Sequence, residues 1–274
     1  MAMEKTFFIS ADIEGITDVT FWSETEEGQE GYEAARAQMT REVAAACEAV
    51  LESGNLPVVR DGHGNARNIS HLDLPEKTVL MRGWACHPGS MMAGLSAAHS
   101  GVLYIGYHAP AGSDGSPLAH TVDHEKVKWA KVNGRLMSEF TMNSLYAAAL
   151  GVPSLFISGD ETICRLAAEE VPQIAALPVK TCRGNSTRNL HPLEAARKIK
   201  EAVARQIAAF QENPAAYAPP ALPEQLTLEV CLSTHQGARS ALRLPGVTQL
   251  DPYTVRYVAS TPKELNIAFE LILG

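Results

Sequence analysis

A short apolar run near the N-terminus ends in two acids and a glycine: Phe7-Phe8-Ile9-Ser10-Ala11-Asp12-Ile13-Glu14-Gly15. The apolar part predicts a short buried strand. Residues two apart on a strand point to the same side, so Asp12 and Glu14 are expected to project together. Two carboxylates on one face repel each other unless a cation lies between them, and a divalent metal is the simplest candidate. The alternative is a solvated strand end with a chance D-x-E sequence.

The chain beyond this strand predicts a parallel sheet. Residues 32–53 are rich in alanine and carry apolar side chains at helical spacing, which predicts a helix ended by Gly54. Residues 56–61 follow as a second strand, so the three elements form a βαβ unit with parallel strands and a right-handed crossover. We therefore predict an α/β fold with a mostly parallel sheet flanked by helices. Its further strands are expected at 78–82, 102–108 and 152–160, and its further helices at 136–150, 161–170 and 192–211.

A connector rich in proline and alanine, residues 213–223, marks a predicted boundary. Residues 1–212 are expected to form the metal-binding α/β domain with the catalytic residues. Residues 213–274 contain two predicted strands and a final helix at 262–273, and are expected to form a smaller C-terminal α/β segment packed on the first part. No chemistry is evident in that segment.

Composition narrows the functional class. Hydrophobic residues make up 46% of the 274 residues, enough for a sizeable core. The formal net charge is −8 and basic residues are not clustered, which argues against a nucleic-acid partner. The five cysteines lack C-x-x-C spacing, which argues against a disulfide framework. With no signal peptide and no apolar run of transmembrane length, we expect a cytoplasmic protein without a membrane partner.

Two further predicted strands end in histidine. His63 stands between two glycines after the second strand, and His108 ends the strand at 102–108. Neighbouring parallel strands end on the same edge of a sheet, where ligands bind, so Asp12, Glu14, His63 and His108 are expected to converge there. Glu139 lies in the first turn of a predicted helix. It is either a fifth metal ligand or an acid placed there by the helix dipole.

The same residues resemble a known family, the DppA-type D-aminopeptidases of peptidase family M55. The resemblance covers the chain from the first strand through at least Lys180. Five motifs carry it, in the family's order and approximate spacing: Ser10-Ala11-Asp12-Ile13-Glu14-Gly15, Asp61-Gly62-His63, Gly106-Tyr107-His108, Ala119-His120-Thr121 and Ser138-Glu139.

The resemblance implies both a site and an activity. The positions that match the family's ligands for a two-zinc centre are Asp12, Glu14, His63, His108 and Glu139. His120 matches the catalytic histidine. The family forms a homodecameric ring and removes D-amino acids from the N-termini of short peptides. The loop between His108 and His120 and residues 183–188 differ from the family pattern, so substrate preference is not carried over.

Elementary chemistry agrees with this implied site. Three carboxylates and two neutral imidazoles bring a charge of −3 to two Zn²⁺ ions, and manganese or cobalt could occupy the same ligands. Two metals about 3.5–4 Å apart polarise a carbonyl and generate hydroxide near neutral pH. Asp12 is predicted to bridge the ions. His120 could act as base, acid or nucleophile on a small peptide or amino-acid amide.

Two other functions stay open. Another two-metal hydrolase, such as a phosphatase, is disfavoured because Arg60, Arg67 and Arg82 do not form a phosphate-binding loop. A non-catalytic metal-binding assembly protein would keep the ligands but would not need His120. A screen of aminoacyl amides and phosphoesters, together with metal analysis, separates these functions.

Other candidate residues have weaker support. Residues 16–31 are interpreted as a surface loop, with a lid or an oligomer contact as the alternative. Asp160 either caps the following helix or supports a ligand. Lys180 is either solvated or a partner for a substrate carboxylate. Asp123 and His124 are interpreted as structural or solvent-facing.

Overall fold

The computed structural model of the chain describes residues 4–274. Its strands are, in chain order, β1 (Thr6–Ala11), β2 (Leu56–Asp61), β3 (Val79–Met81), β4 (Gly101–Tyr107), β5 (Val127–Val132), β6 (Arg135–Leu136), β7 (Ser154–Asp160), β8 (Ala175–Arg183), β9 (Ser186–Asn189), β10 (Leu226–Leu232), β11 (Thr248–Gln249) and β12 (Thr254–Ala259). Its α-helices are α1 (Tyr32–Glu52), α2 (Glu139–Ala149), α3 (Glu161–Glu170), α4 (Pro192–Glu212), α5 (His235–Ala241) and α6 (Pro262–Leu273). A short 3-10 turn spans Trp22–Glu24.

The larger sheet has the strand order β3-β2-β1-β4-β7-β8-β9. Its neighbouring strands are parallel except for β8 and β9, which are antiparallel. The chain builds the sheet from β1 towards one edge and then from β4 towards the other, so the strand order switches between β1 and β4. Ala11 at the end of β1 lies opposite Asp61 of β2 and Ile105 of β4. The carboxyl ends of these three strands therefore meet at the switch point.

The first strand is buried on both faces, which explains its continuous apolar run. Phe7 and Ile9 pack in a core with α1 and α4. Phe8 packs in a second core with α2 and α3. Complete burial of one such side chain contributes about 1.5–3 kcal/mol, so this short strand anchors both layers. The predicted α/β fold, with a mostly parallel sheet flanked by helices, is confirmed.

A smaller sheet has the order β11-β12-β10-β5-β6 and is antiparallel throughout. Buried and half-buried residues alternate along β10, and its buried face packs against α5 and α6. Strands β5 and β6 precede residue 213, so this sheet draws on both predicted parts of the chain. The division into residues 1–212 and 213–274 stays a prediction.

Helix boundaries follow from local chemistry. The helices predicted at 161–170 and 262–273 are α3 and α6, with the same bounds. Helix α2 begins at Glu139, three residues later than predicted, because Ser138 caps it by accepting a hydrogen bond from the Thr141 N–H.

Of the helices within residues 4–274, none is both long and apolar enough to span a bilayer.

Candidate metal centre

The segment after β1 crosses the end of β4 at very close range. The N–H groups of Asp12 and Gly15 donate to the carbonyls of Ile105 and Gly106, each at 2.8 Å. A β-carbon at position 15 would lie 1.8 Å from the carbonyl oxygen of Tyr107. Only glycine fits there, so the D-x-E-G sequence holds both acids over the edge of the sheet.

The two strand-end histidines are each fixed by one ring nitrogen. Nε2 of His63 bonds the carbonyl of Thr25 at 2.7 Å, and Nδ1 of His108 bonds the carbonyl of Ala109 at 3.0 Å. A carbonyl only accepts, so these nitrogens carry the protons. In the neutral ring, the form that binds a metal, the other nitrogen has a free lone pair directed towards the acids. Metal-binding histidines are oriented in the same way.

Asp12 lies between two groups of ligand-type atoms. Its Oδ1 is 3.3 Å from Nδ1 of His63, which is also 3.2 Å from Oε2 of Glu14. Its Oδ2 is 3.4 Å from Nε2 of His108, which is also 3.5 Å from Oε2 of Glu139. Within each group, Asp12–Glu14–His63 and Asp12–His108–Glu139, the ligand atoms lie within 4.8 Å of one another. The structure therefore brings all five predicted ligands together.

Several atoms at this centre are buried without a hydrogen-bond partner. Among residues 4–274, Oδ2 of Asp12, Oε2 of Glu14 and Nε2 of His108 have none. An unsatisfied buried polar atom costs about 1–3 kcal/mol, and more when it is charged. A divalent cation in each group would satisfy these atoms, and mixed carboxylate and imidazole ligands suit zinc. The residues present therefore fit a pair of metal ions.

Glu139 is positioned by two backbone features. It is the first residue of α2, directly after the Ser138 cap. Its Oε1 accepts a hydrogen bond of 2.7 Å from the N–H of Val122, which leaves Oε2 facing His108. Val122 has a φ of 66°, a left-handed conformation that is rare for a β-branched residue. The backbone is thus strained where it orients a candidate ligand.

His120 faces the same centre from the loop after β4. Its Nδ1 bonds the carbonyl of Leu118 at 2.9 Å. Its Nε2 is 3.8 Å from Oε1 of Glu14 and 3.6 Å from Oε1 of Glu139. The ring stacks on His108 with centroids 4.1 Å apart. His120 therefore presents one free nitrogen to the space in front of both groups.

An aromatic contact behind His120 was missed by the sequence reasoning. Trp22 meets the His120 ring edge-on, with centroids 5.2 Å apart, and stacks on His124 at 3.9 Å. The loop at residues 16–31 is therefore more than a surface loop, and His124 fits the structural alternative rather than the solvent-facing one. The sequence feature that could have indicated this contact is a tryptophan within an otherwise polar loop.

Charge at the centre favours a cation. Burial lowers the pKa of His63 and of His108, but the facing Glu14 and Glu139 raise each pKa well above its ordinary value. Burial also raises the pKa of Glu14, yet the facing imidazoles, His63 foremost, bring it below its usual range. The raised pKa values of the two histidines report a strongly negative potential at their rings, which attracts protons or metal ions alike.

The centre opens into a cavity of about 620 Å³. Apolar and aromatic side chains, including Trp22, Trp84 and Met91, line part of it. Its volume is within the range typical of small-molecule sites. Within the described part of the chain, no lysine or arginine lines the cavity, so it lacks the cations that commonly hold a phosphate group.

Asp160 and Lys180, the two weaker candidates, support the centre through hydrogen bonds to the backbone around it. Asp160 caps α3 by accepting from the Ile163 N–H at 2.8 Å, and it also accepts from the Ala109 N–H at 2.7 Å, beside His108. Lys180 is 2% exposed and donates to the carbonyls of Glu14 and Val19. It is neither solvated nor among the residues lining the cavity.

Comparison with known proteins decides the family. Residues 6–271 match the sequence profile of peptidase family M55, described as D-aminopeptidase. The chain belongs to peptidase family M55. The resemblance inferred from the five motifs is confirmed, and membership makes the chain a metallo-aminopeptidase.

Individual M55 relatives support the assignment over nearly the full length. The chain is 28% identical over 269 residues to the D-aminopeptidase of Bacillus subtilis (strain 168), covering 97% of this chain and 94% of the relative. It is also similar to a solved structure described as the Zn-dependent D-aminopeptidase DppA from Bacillus subtilis, a self-compartmentalizing protease. The TM-score is 0.89 at 26% identity, with 97% of this chain and 96% of that chain covered.

Proposed function

We propose that this M55 member is a zinc aminopeptidase that removes N-terminal D-amino acids from short peptides or amino-acid amides at a two-metal centre. One observation carries the proposal: the two carboxylate oxygens of Asp12 face separate groups of ligand-type atoms. The zinc dependence of the similar solved structure supports the choice of metal, although manganese or cobalt fits the same ligands.

The proposal assigns each ion its own residues. Oδ1 of Asp12, Glu14 and Nδ1 of His63 would hold one ion. Oδ2 of Asp12, Nε2 of His108 and Oε2 of Glu139 would hold the other. When bound, the pair supplies Lewis acidity towards the scissile carbonyl and lowers the pKa of water. The protein contributes the spacing, because the ends of β1 and β4 and the start of α2 hold the carboxylates and His108 in place.

His120 is the proposed catalytic residue. The carbonyl of Leu118 holds the proton on Nδ1, so Nε2 of the neutral ring has a free lone pair. This tautomer supports a role as general base, which accepts a proton from the attacking water and later returns it to the leaving amine. The stacked His108 and the edge of Trp22 keep the imidazole in this orientation.

The proposal extends to assembly and location. The similar solved structure is described as self-compartmentalizing, which supports a homo-oligomer here, and the family resemblance suggests a ring of ten chains. Light scattering would then give about ten times the chain mass of 29.5 kDa.

Within residues 4–274 the five cysteines form no disulfide bond, which supports a reducing, cytoplasmic location.

A substrate panel tests the function. Zinc-loaded protein is assayed with D- and L-alanyl amides, short peptides with either residue first, and a phenyl phosphate ester. We expect hydrolysis of the D-aminoacyl compounds, loss of activity after chelation and recovery with zinc. Phosphoester hydrolysis without amide hydrolysis would instead identify a phosphatase. Two bound zinc ions with no hydrolysis of any compound would indicate a metal-binding protein without catalysis.

A further inference from the structure

A buried lysine lies directly beneath the candidate metal centre. Lys180 of β8 is 2% exposed, and its Nζ donates to the backbone carbonyls of Glu14 and Val19, each at 2.5 Å. These carbonyls begin and end one short stretch, which we call the 14–19 segment. The Lys180 side chain therefore links the two ends of the 14–19 segment, which lies between β1 and the 3-10 turn that carries Trp22.

The 14–19 segment has a ligand candidate at one end and leads to an aromatic contact at the other. Glu14 belongs to the group with Asp12 and His63. Three residues beyond Val19, Trp22 meets the His120 ring. A change in the path of this segment would therefore move a carboxylate and the support of the proposed base together.

Other bonds hold the middle of the segment, but none replaces Lys180. The Thr17 hydroxyl donates to the carbonyl of Leu190 at 2.7 Å, and the Thr17 N–H donates to Glu42 at 3.1 Å. These bonds attach the middle of the segment to α1 and to Leu190, the residue directly after β9. Only Lys180, of the residues described, donates to the carbonyl of Glu14 itself.

A buried lysine at position 180 costs folding free energy that an apolar side chain of similar size would not cost. Lysine is almost never fully buried unless its ammonium group is paired, because the charge loses its hydration. A methionine would fill nearly the same volume without that cost. Lys180 does not line the cavity, so its N–H donors do not reach a substrate there. They bond backbone carbonyls instead.

We propose that Lys180 is a positioning residue for the metal centre, which fixes the Glu14 carbonyl and so directs its carboxylate towards Asp12 and His63. Loss of this anchor weakens the metal bound by Glu14 more than the metal bound by His108 and Glu139. The inference rests on the two-metal function proposed above.

Zinc binding by Lys180→Met tests the role. Apo protein is titrated with zinc in competition with a chromophoric chelator, which resolves two affinities per chain. Removal of a group that supports a metal ligand typically costs about 10- to 100-fold in affinity. We expect a loss of this size at one zinc site of Lys180→Met, with the other site within about threefold of wild type.

Matched variants separate positioning from general destabilisation. Tyr104→Phe removes a buried hydroxyl that bonds Ser154 at 2.8 Å, away from the centre, and should keep both zinc affinities. If Lys180→Met fails to fold, Lys180→Leu, which likewise has no donor, is measured instead with the same expectation. Wild-type affinity at both sites of the Lys180 variant, or an equal loss at both sites, would overturn the inference. Wild-type protein that does not bind two zinc ions would overturn the proposed function instead.

Discussion

The backbone N–H of Val122 donates a hydrogen bond of 2.7 Å to Oε1 of Glu139. Val122 adopts a φ of 66° to make this contact, and the residue is 42% exposed. The left-handed conformation costs an L-residue about 1–2 kcal/mol, and little burial offsets that cost here. The strain therefore serves the orientation of a candidate metal ligand rather than the stability of the fold.

Val122→Gly should relieve this strain while keeping the N–H donor. Glycine adopts positive φ without a penalty but adds freedom to the unfolded chain, so the expected free energy of unfolding is unchanged or higher by about 1 kcal/mol. Chemical denaturation of zinc-loaded protein measures it. A decrease of more than about 1 kcal/mol would show that the Val122 side chain, not its backbone, is what the position requires.

His120→Ala should separate catalysis from metal binding. The proposed base contributes about 10²- to 10⁴-fold, so kcat should fall by that factor while zinc content stays the same. Steady-state kinetics and metal analysis of the same sample measure both quantities. His235→Ala, at an exposed histidine on α5, is the control and should keep full activity. Zinc loss in His120→Ala would assign this residue to the metal instead.

Gly15→Ala should damage the fold where β1 meets β4. The added β-carbon would lie 1.8 Å from the carbonyl oxygen of Tyr107, so the segment after β1 or the end of β4 would have to move. We expect a loss of more than about 4 kcal/mol, or no folded protein. Gly54→Ala is the matched control, because that glycine has a φ of 76° but open space around it. It should lose only about 1 kcal/mol, and similar losses in both variants would refute the steric argument.

Glu42 should make stability fall as pH rises. Burial raises the pKa of Glu42 to about 7, although the Gln38 side chain and the Thr17 N–H lower it. In the unfolded chain the carboxyl releases its proton near its ordinary pKa of about 4.5, so between that pH and 7 the folded state binds more protons. Stability therefore decreases across this window, and the penalty is complete above pH 7.

Glu42→Gln removes that titration. At pH 8 the variant should be more stable than wild type by about 1–3 kcal/mol, and the difference should shrink towards pH 5. Denaturant unfolding of both proteins at each pH, with saturating zinc, gives this difference and cancels the pH dependence of the metal centre. A constant difference at both pH values would show that Glu42 stays ionised in the fold.

The sequence was sufficient for much of the sheet and for the placement of four candidate ligands. Parallel strands end on one edge, so the apolar runs before Asp12 and Glu14, before His63 and before His108 were enough to predict that these side chains meet. Glu139 needed the family resemblance. Its placement depends on the Ser138 cap and on the Val122 N–H, and the latter contact comes from a strained backbone that no local pattern signals.

Other features depend on contacts distant in sequence. Strand β9 has the polar sequence Ser186-Thr187-Arg188-Asn189, and it pairs only because β8 lies beside it. Strand β5 pairs with β10, almost 100 residues later in the chain, and β6 continues the same sheet beside β5. Burial of Lys180 and the contact of Trp22 with His120 likewise require the assembled sheet.

Anomalous diffraction at the zinc edge, from crystals of the zinc-loaded protein, tests the central proposal most directly. We expect two zinc peaks per chain, about 3.5–4 Å apart, with Asp12 between them. One ion would lie beside Glu14 and His63, and the other beside His108 and Glu139. A single peak, or peaks away from Asp12, would contradict the two-metal centre.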